Sequence, residues 1–189
     1  MTLLQHYCAY QMLERHPQQL SLTPSTCVAT APIIERLFSS DPKRRNLFLN
    51  FLERGYLGWF QYDNDRWMTY GWSATPTSDA PIHLPNWVHQ NTYWIFYCRT
   101  DDDFQGQGLY KRSLSIMVSD IFEIDPSATI NIDTEATNMP SRRAIIASGF
   151  SASGMIDLLT IKLPYLPTQK WAGWNRNAPH PAMPTEARS

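Results

Sequence analysis

Apolar residues along the chain fall into two periods, and the boundaries between them carry turn residues. Leu47, Phe48, Phe51 and Leu52 recur at helical spacing. Asp41 followed by Pro42 supplies an N-cap with proline in the first turn, and Gly55 can close that helix. The runs YLGWFQY and RWMTYGW then read as two strands joined through Asp63-Asn64-Asp65, a β-hairpin. Residues 74–90 form a proline-rich loop, and NTYWIFYCRT (residues 91–100) reads as a third strand. Leu114, Met117, Val118 and Ile121 fall at i, i+3, i+4 and i+7, which predicts an amphipathic helix. A strand over 128–135 and a short helix over 139–148, closed by Gly149, follow. Strand material then runs from Phe150 to Leu163 with a bend at Gly154. The segment Leu3 to Leu13 fits a strand or a helix. From Pro164 onward the tail, with Trp171 and Trp174, reads as irregular.

The order is helix, hairpin, strand, glycine loop, helix, strand, helix and two strands. It predicts an α/β (α+β) fold with a mixed sheet, as one domain over 1–163 with a tail over 164–189. At 189 residues the chain can bury a substantial core. Its formal net charge of −1 provides no field for nucleic acid or an anionic membrane. Cys8, Cys27 and Cys98 are widely spaced with no CxxC pair, which argues against a disulfide framework or a zinc site. No apolar run reaches membrane-spanning length, and the N-terminus lacks the pattern of a signal peptide. The expectation is a cytoplasmic protein with neither membrane nor nucleic acid as a partner.

The stretch DDDFQGQGLYKR, residues 101–112, joins the third strand to the amphipathic helix. A strand, a glycine loop and a helix N-terminus together can build an anion site from backbone amides. The loop is not a Walker loop, because Lys111 comes too late after Gly108 and Arg112 stands where Ser or Thr is required. It also fails the dinucleotide fingerprint, whose third glycine would be Lys111. Beyond the next strand come Asn138-Met-Pro-Ser141 and then Ser148-Gly149-Phe150.

Gln105, Gly106 and Gly108, followed by Asn138, Ser141, Gly149 and Phe150, resemble the paired motifs of the GNAT N-acetyltransferase superfamily. The resemblance covers residues 56–163. One departure is Tyr110, which stands where the last small residue of the loop motif usually is; it is read as a packing residue at the helix start. The resemblance implies a mostly antiparallel central sheet flanked by helices, with a V-shaped splay between the strands 91–100 and 128–135. It implies acetyl-CoA, or a related acyl-CoA, as co-substrate, with no metal.

On that reading the amides of Gln105, Gly106, Gln107, Gly108, Leu109 and Tyr110 meet the pyrophosphate, aided by the helix dipole. The pantetheine arm pairs with backbone near Arg99 and Thr100, and Asn138 and Ser141 help order the cofactor. Asp101, Asp102 and Asp103 would repel a phosphate, so they are expected to face away from it.

Acyl transfer to an amine needs a neutral nucleophile, an oxyanion donor and a proton for the departing thiolate. The oxyanion donor is expected near Thr100. The family's usual tyrosine acid would stand at Ile145 here, so Tyr97 is the substitute candidate. Glu135 is the preferred base, with Asp133 beside it; strand alternation is read as letting at most one of the two face the cleft. His83 and His89 are second choices, and Cys98 reads as a buried core cysteine.

The hairpin aromatics Trp59, Phe60, Trp67, Tyr70 and Trp72, with the 74–90 loop and the tail tryptophans, are the candidate acceptor walls. They suit a small amine such as an amino sugar. The alternatives are a protein or peptide acetyltransferase and a catalytically weak acyl-CoA-binding module. The aromatic-rich surface also leaves a homodimer open.

Overall fold

A computed structural model describes residues 2–14, 25–85, 91–163, 165 and 168–183. Among these residues the strands are β1 (Thr2–Met12), β2 (Thr26–Val28), β3 (Leu57–Asp63), β4 (Arg66–Ala74), β5 (Tyr93–Thr100), β6 (Ile130–Glu135), β7 (Ser151–Ile161) and β8 (Gln169–Asn175). The helices are α1 (Ala31–Leu37), α2 (Pro42–Glu53), α3 (Leu109–Ile124) and α4 (Met139–Ala147), with a 3-10 turn at Asp102–Phe104. All eight strands join one sheet in the order β2-β3-β4-β5-β6-β1-β7-β8. Only β5 and β6 run parallel.

The predicted caps form as the sequence requires. The Asp41 carboxylate accepts from the Arg44 amide at 3.0 Å and starts α2, and Gly55 takes φ +79 after its end. Asn64 adopts φ +52 in the β3–β4 hairpin turn, a conformation asparagine tolerates. Phe48 and Phe51 of α2 pack on one face of the sheet with Phe60, Tyr70 and Trp72. On the opposite face α3 buries Leu114, Met117, Val118 and Ile121 against Trp59, Ile95 and Ile132. Each such side chain contributes roughly 1.5–3 kcal/mol relative to exposure. The Trp59 indole N–H donates to Asp120 at 2.7 Å, fixing α3 over β3.

Two segments differ from the sequence reading. The ambiguous N-terminal run is an interior strand: β1 pairs with β6 on one side and with β7 on the other. The tail read as irregular contains β8, which pairs along β7 from Met155↔Asn175 to Ile161↔Gln169. Its composition hides this, because β8 gains its hydrogen bonds from β7 and buries only part of one face. Gly154 takes φ +100 inside β7 without ending the strand.

The sheet opens between β5 and β6. Their ladder holds only Tyr93↔Ile130, Trp94↔Asn131 and Ile95↔Ile132. Past that rung β5 stays with β4, through Tyr70↔Arg99 and Thr69↔Thr100. β6 stays with β1, through Cys8↔Thr134 and Tyr7↔Glu135. The expected splay is therefore present, and the two strand ends leave a wedge between them.

Candidate active site in the β5–β6 wedge

Two cavities meet in this wedge. The first, of about 660 Å³, lies against the glycine loop and is lined by Arg99, Thr100, Gln105, Gly106, Gly108 and Leu109, with Asn138 and Ser141 from the start of α4. Gln107 is exposed and does not line it. Gly106 and Gly108 have φ +78 and +73, and a Cβ built on either would meet nothing within 4 Å. The left-handed backbone explains glycine at both positions, and the open space beside it leaves the loop accessible. Gly108 is the N-cap of α3 and supplies no side chain to cap it, so the first-turn amides remain available to an anion.

The Asn138 side chain accepts from the Ser141 amide at 3.2 Å, so it caps α4 while lining the cavity. The three aspartates divide. Asp101 and Asp103 pair with Arg66 and do not line the cavity. Asp102, expected to face away, lines the cavity instead. Its carboxylate accepts from Gln105 Nε2 at 2.7 Å and lies 3.6 Å from the Arg99 guanidinium, so its charge is partly offset.

The second cavity, of about 450 Å³, lies deeper in the wedge and is lined by Tyr7, His83, Phe96, Tyr97, Asp133 and Glu135. Cys98, Tyr110, Asn138 and Ser141 line both cavities. Tyr110 is thus more than a packing residue at the helix start: it is half-buried at the junction, with its hydroxyl paired to Ser141. Burial holds that hydroxyl well above the usual tyrosine range, with the neighbouring Cys98 adding to the effect.

Asp133 and Glu135 both line the deeper cavity, which corrects the expectation that at most one would. Residues two apart on a strand share a face, so alternation places them together. Asp133 is buried, its side chain only 3% exposed. It accepts from Trp94 Nε1 at 2.6 Å, and both its oxygens lie 2.9–3.0 Å from His83 Nε2. Glu135 is exposed at the rim. The Tyr7 hydroxyl is pushed up to about 12, by burial first and then by the carboxylates of Asp133 and Glu135. His89 lies outside the described residues.

Between Phe96 and Arg99 the β4–β5 register slips, so that Gly71 faces two residues, Tyr97 and Cys98. Tyr97 sits in a left-handed conformation at φ +50, costly for a tyrosine. A bulge leaves one strand residue out of the ladder, which frees a backbone amide at the mouth of the wedge. The bulge lies between the last β5–β6 rung at Ile95 and Thr100, the position expected from the sequence. The bulge was missed in the sequence; its one signal is Gly71, where a Cβ would lie 2.6 Å from Met117 Sδ and 2.9 Å from Cys98 Sγ. Cys98 is only partly buried and lines both cavities, so it is not the buried core cysteine expected; burial pushes its thiol up to about 12, which disfavours the thiolate.

The hairpin aromatics are not the acceptor walls expected of them. Trp59, Phe60, Tyr70 and Trp72 are all at most 2% exposed and belong to the core. Trp174 packs on Trp94 with ring centroids 5.4 Å apart, while Trp171 faces solvent. Among the described residues no helix is long and apolar enough to cross a membrane. Nor, among them, do three or more His, Cys, Asp or Glu gather to hold a metal ion.

No protein-family model matches the chain, and no curated protein matches it in sequence. Solved structures do match the fold over most of the chain. A GNAT-family acetyltransferase from Colwellia psychrerythraea superposes with a TM-score of 0.55 at 14% identity, over 81% of this chain and 54% of its own. A GCN5-related N-acetyltransferase-like protein from Streptococcus suis gives 0.56 at 13%, over 84% and 61%. A GCN5-related N-acetyltransferase from Sphaerobacter thermophilus gives 0.53 at 10%, over 82% and 50%.

The chain has the GNAT fold. It spans between half and two thirds of the length of these three structures. At such identities the likeness establishes architecture alone. The glycine loop before α3 and the start of α4 bring the motif residues Gln105, Gly108, Asn138 and Ser141 to one cavity.

Proposed function

We propose that the protein is an acyl-CoA-dependent N-acetyltransferase that moves an acetyl group from acetyl-CoA to the primary amine of a small molecule. The observation that carries this reading is the continuity of the two cavities through the wedge. An anion cradle of backbone amides lies at one end, and a pocket with two carboxylates and an imidazole lies at the other. The glycine loop fits a pyrophosphate, since its left-handed residues leave open space where side chains would stand. Arg99 and Lys111 add positive charge at its rim. A pantetheine arm can extend the exposed edge of β5 beyond Ile95, where the β6 ladder ends, in the manner of an added strand. Asn138 and Ser141 lie beside that path.

The thioester supplies an activated acyl carbon and a thiolate leaving group. The chain supplies the rest. The bulge at Tyr97 and Cys98 offers an amide to the developing oxyanion, and the wedge holds the amine within reach of that carbon. The deeper cavity carries Asp133 and Glu135 with the rings of Tyr7, Phe96 and Tyr97, a lining suited to a compact cationic amine. An amino sugar remains a first candidate, now because of this lining and not because of the hairpin aromatics. Ile145 is fully buried in the core and contributes no acid, which is the observation behind a second reading as an acyl-CoA-binding module.

Free-thiol release from acetyl-CoA, measured across amino sugars, polyamines, amino acids and peptides, decides between these readings. Release with a small amine supports the proposal. Release with peptides alone favours a protein acetyltransferase, and tight acetyl-CoA binding without release to any amine favours the module.

A further inference from the structure

The geometry points to His83, held by Asp133, as the base that takes a proton from the acceptor ammonium, in place of Glu135. This inference rests on the acetyltransferase reading above. Asp133 is the first cleft-facing position of β6 past the last β5–β6 rung, Ile95↔Ile132, so it stands at the apex of the wedge. As a buried carboxylate it needs donors, and two are in place: Trp94 Nε1 at 2.6 Å and His83 Nε2 at 2.9–3.0 Å. Since Asp133 accepts, His83 carries its proton on Nε2, and Nδ1 is left with the lone pair. A carboxylate that fixes one imidazole tautomer and steadies the imidazolium is the positioning role an acid–base pair requires.

His83 sits on a loop, yet that loop is pinned. Lys170 Nζ of β8 donates to the Ile82 carbonyl at 2.8 Å, and the Tyr56 hydroxyl donates to the Ala80 carbonyl. Leu84 is buried, and the His83 ring lies 5.8 Å from Tyr7 and 6.4 Å from Phe96. The charged and titratable groups facing His83 are Asp133 and Glu135 from β6, Tyr7 from β1, Tyr97 and Cys98 from β5 and Tyr110 from α3, with Lys170 of β8 behind it. Of these, Asp133 alone is in hydrogen-bond contact with the imidazole. Glu135, at the rim, is placed to attract the ammonium before it is deprotonated.

The step balances without another reactant. The ammonium gives one proton to His83 Nδ1, which passes it to solvent. The amine lone pair forms the C–N bond as the carbonyl π pair moves to oxygen. Collapse breaks the C–S bond with its electron pair on sulfur, and the remaining excess proton on nitrogen goes to the thiolate. The products are the amide, free CoA thiol and one released proton.

The test combines kinetics with a spectroscopic readout on the full chain. Thiol release from acetyl-CoA is followed against pH for wild type, His83→Gln, Glu135→Gln and Asp133→Asn, using the best amine of the panel. His83→Gln keeps a donor for Asp133, and is expected to lower kcat by about 100-fold or more and to abolish the acidic limb of the profile. Its KM for acetyl-CoA should stay unchanged, and added imidazole should rescue His83→Ala. Glu135→Gln should raise KM for the amine and keep the limb. Asp133→Asn should lose the single Nε2–H tautomer of His83 in imidazole-nitrogen NMR, which wild type should show without any substrate. A wild-type Nδ1–H tautomer, or a limb that follows Glu135 and survives His83→Gln, would overturn the assignment while leaving the acetyltransferase reading intact. No release by wild type with any amine overturns both.

Discussion

Trp94 and Asp133 meet across the apex of the wedge: the indole Nε1 donates to the carboxylate at 2.6 Å, one step beyond the place where β5 and β6 part. Trp94 is otherwise wholly buried, against Trp174 and the α2-side core. Replacing it by Phe keeps most of the apolar volume and removes the donor to a buried charge. The expected cost is about 1.5–3 kcal/mol of stability, with no change in denaturant m-value. Urea unfolding of Trp94→Phe checks it; a cost below about 0.5 kcal/mol would mean that Asp133 does not depend on this bond.

The glycine loop separates binding from folding. Gly108 at φ +73 lies in open space, so Gly108→Ala should lose only about 1–2 kcal/mol from the left-handed backbone. The same Cβ would stand in the anion cradle, and acetyl-CoA affinity should fall by about tenfold or more. Calorimetric titration of a variant shown to be folded measures this directly. Unchanged affinity would remove the loop from the cofactor site.

Arg66 holds Asp101 and Asp103 beside that loop. Without it the two carboxylates lose their partner near a proposed anion site. Arg66→Ala should therefore weaken acetyl-CoA binding about two- to fivefold at low salt, with the difference shrinking as ionic strength rises. A salt-independent loss would point to loop distortion instead.

Gly154 lets β7 accept β8. At φ +100, a Cβ there would overlap the Asn175 carbonyl oxygen and lie 2.6 Å from Arg176 Cα. Gly154→Ala should cost roughly 1–3 kcal/mol, and amide exchange should show protection lost first in β8. Because β8 carries Lys170, which anchors the His83 loop, kcat should fall while acetyl-CoA affinity is kept.

Three tyrosines make the fold sensitive to alkali. Tyr7, Tyr56 and Tyr70 are each raised to about 12, with burial the first cause in every case. Below pH 10 they are neutral whether the chain is folded or unfolded, and their contribution is intact. Between about 10 and 12 the unfolded chain releases these protons and the folded chain keeps them, so stability falls as pH rises through that window. Tyrosinate absorbance should show a late fraction that ionises together with loss of tertiary structure.

The motif core was legible because its chemistry is local. Asn138 caps α4, glycine takes the left-handed turns at 106 and 108, and the 3.6 period of α3 marks its buried face. The parts that escaped the sequence depend on partners distant in the chain. β1 mixes polar and apolar residues because its place between β6 and β7 is set by tertiary pairing. β8 is a strand only because β7 offers an edge. The alternating aromatics of the hairpin looked free to line a pocket, yet α2 covers one face and α3 the other, and both sets are core. His83, from a proline-rich loop, could be ranked above Glu135 only once Asp133 and Trp94 were seen to hold it.

The central claim, that the wedge receives an acyl-CoA, is tested most directly by the thermal stability of the wild-type chain with acetyl-CoA added. Binding to the folded state alone predicts a rise in Tm that grows with ligand concentration, equivalent to about 2.7 kcal/mol at a hundredfold excess over Kd, and its disappearance in a folded Gly108→Val variant. No rise with acetyl-CoA or any longer acyl-CoA, or an equal rise in that variant, would contradict the account.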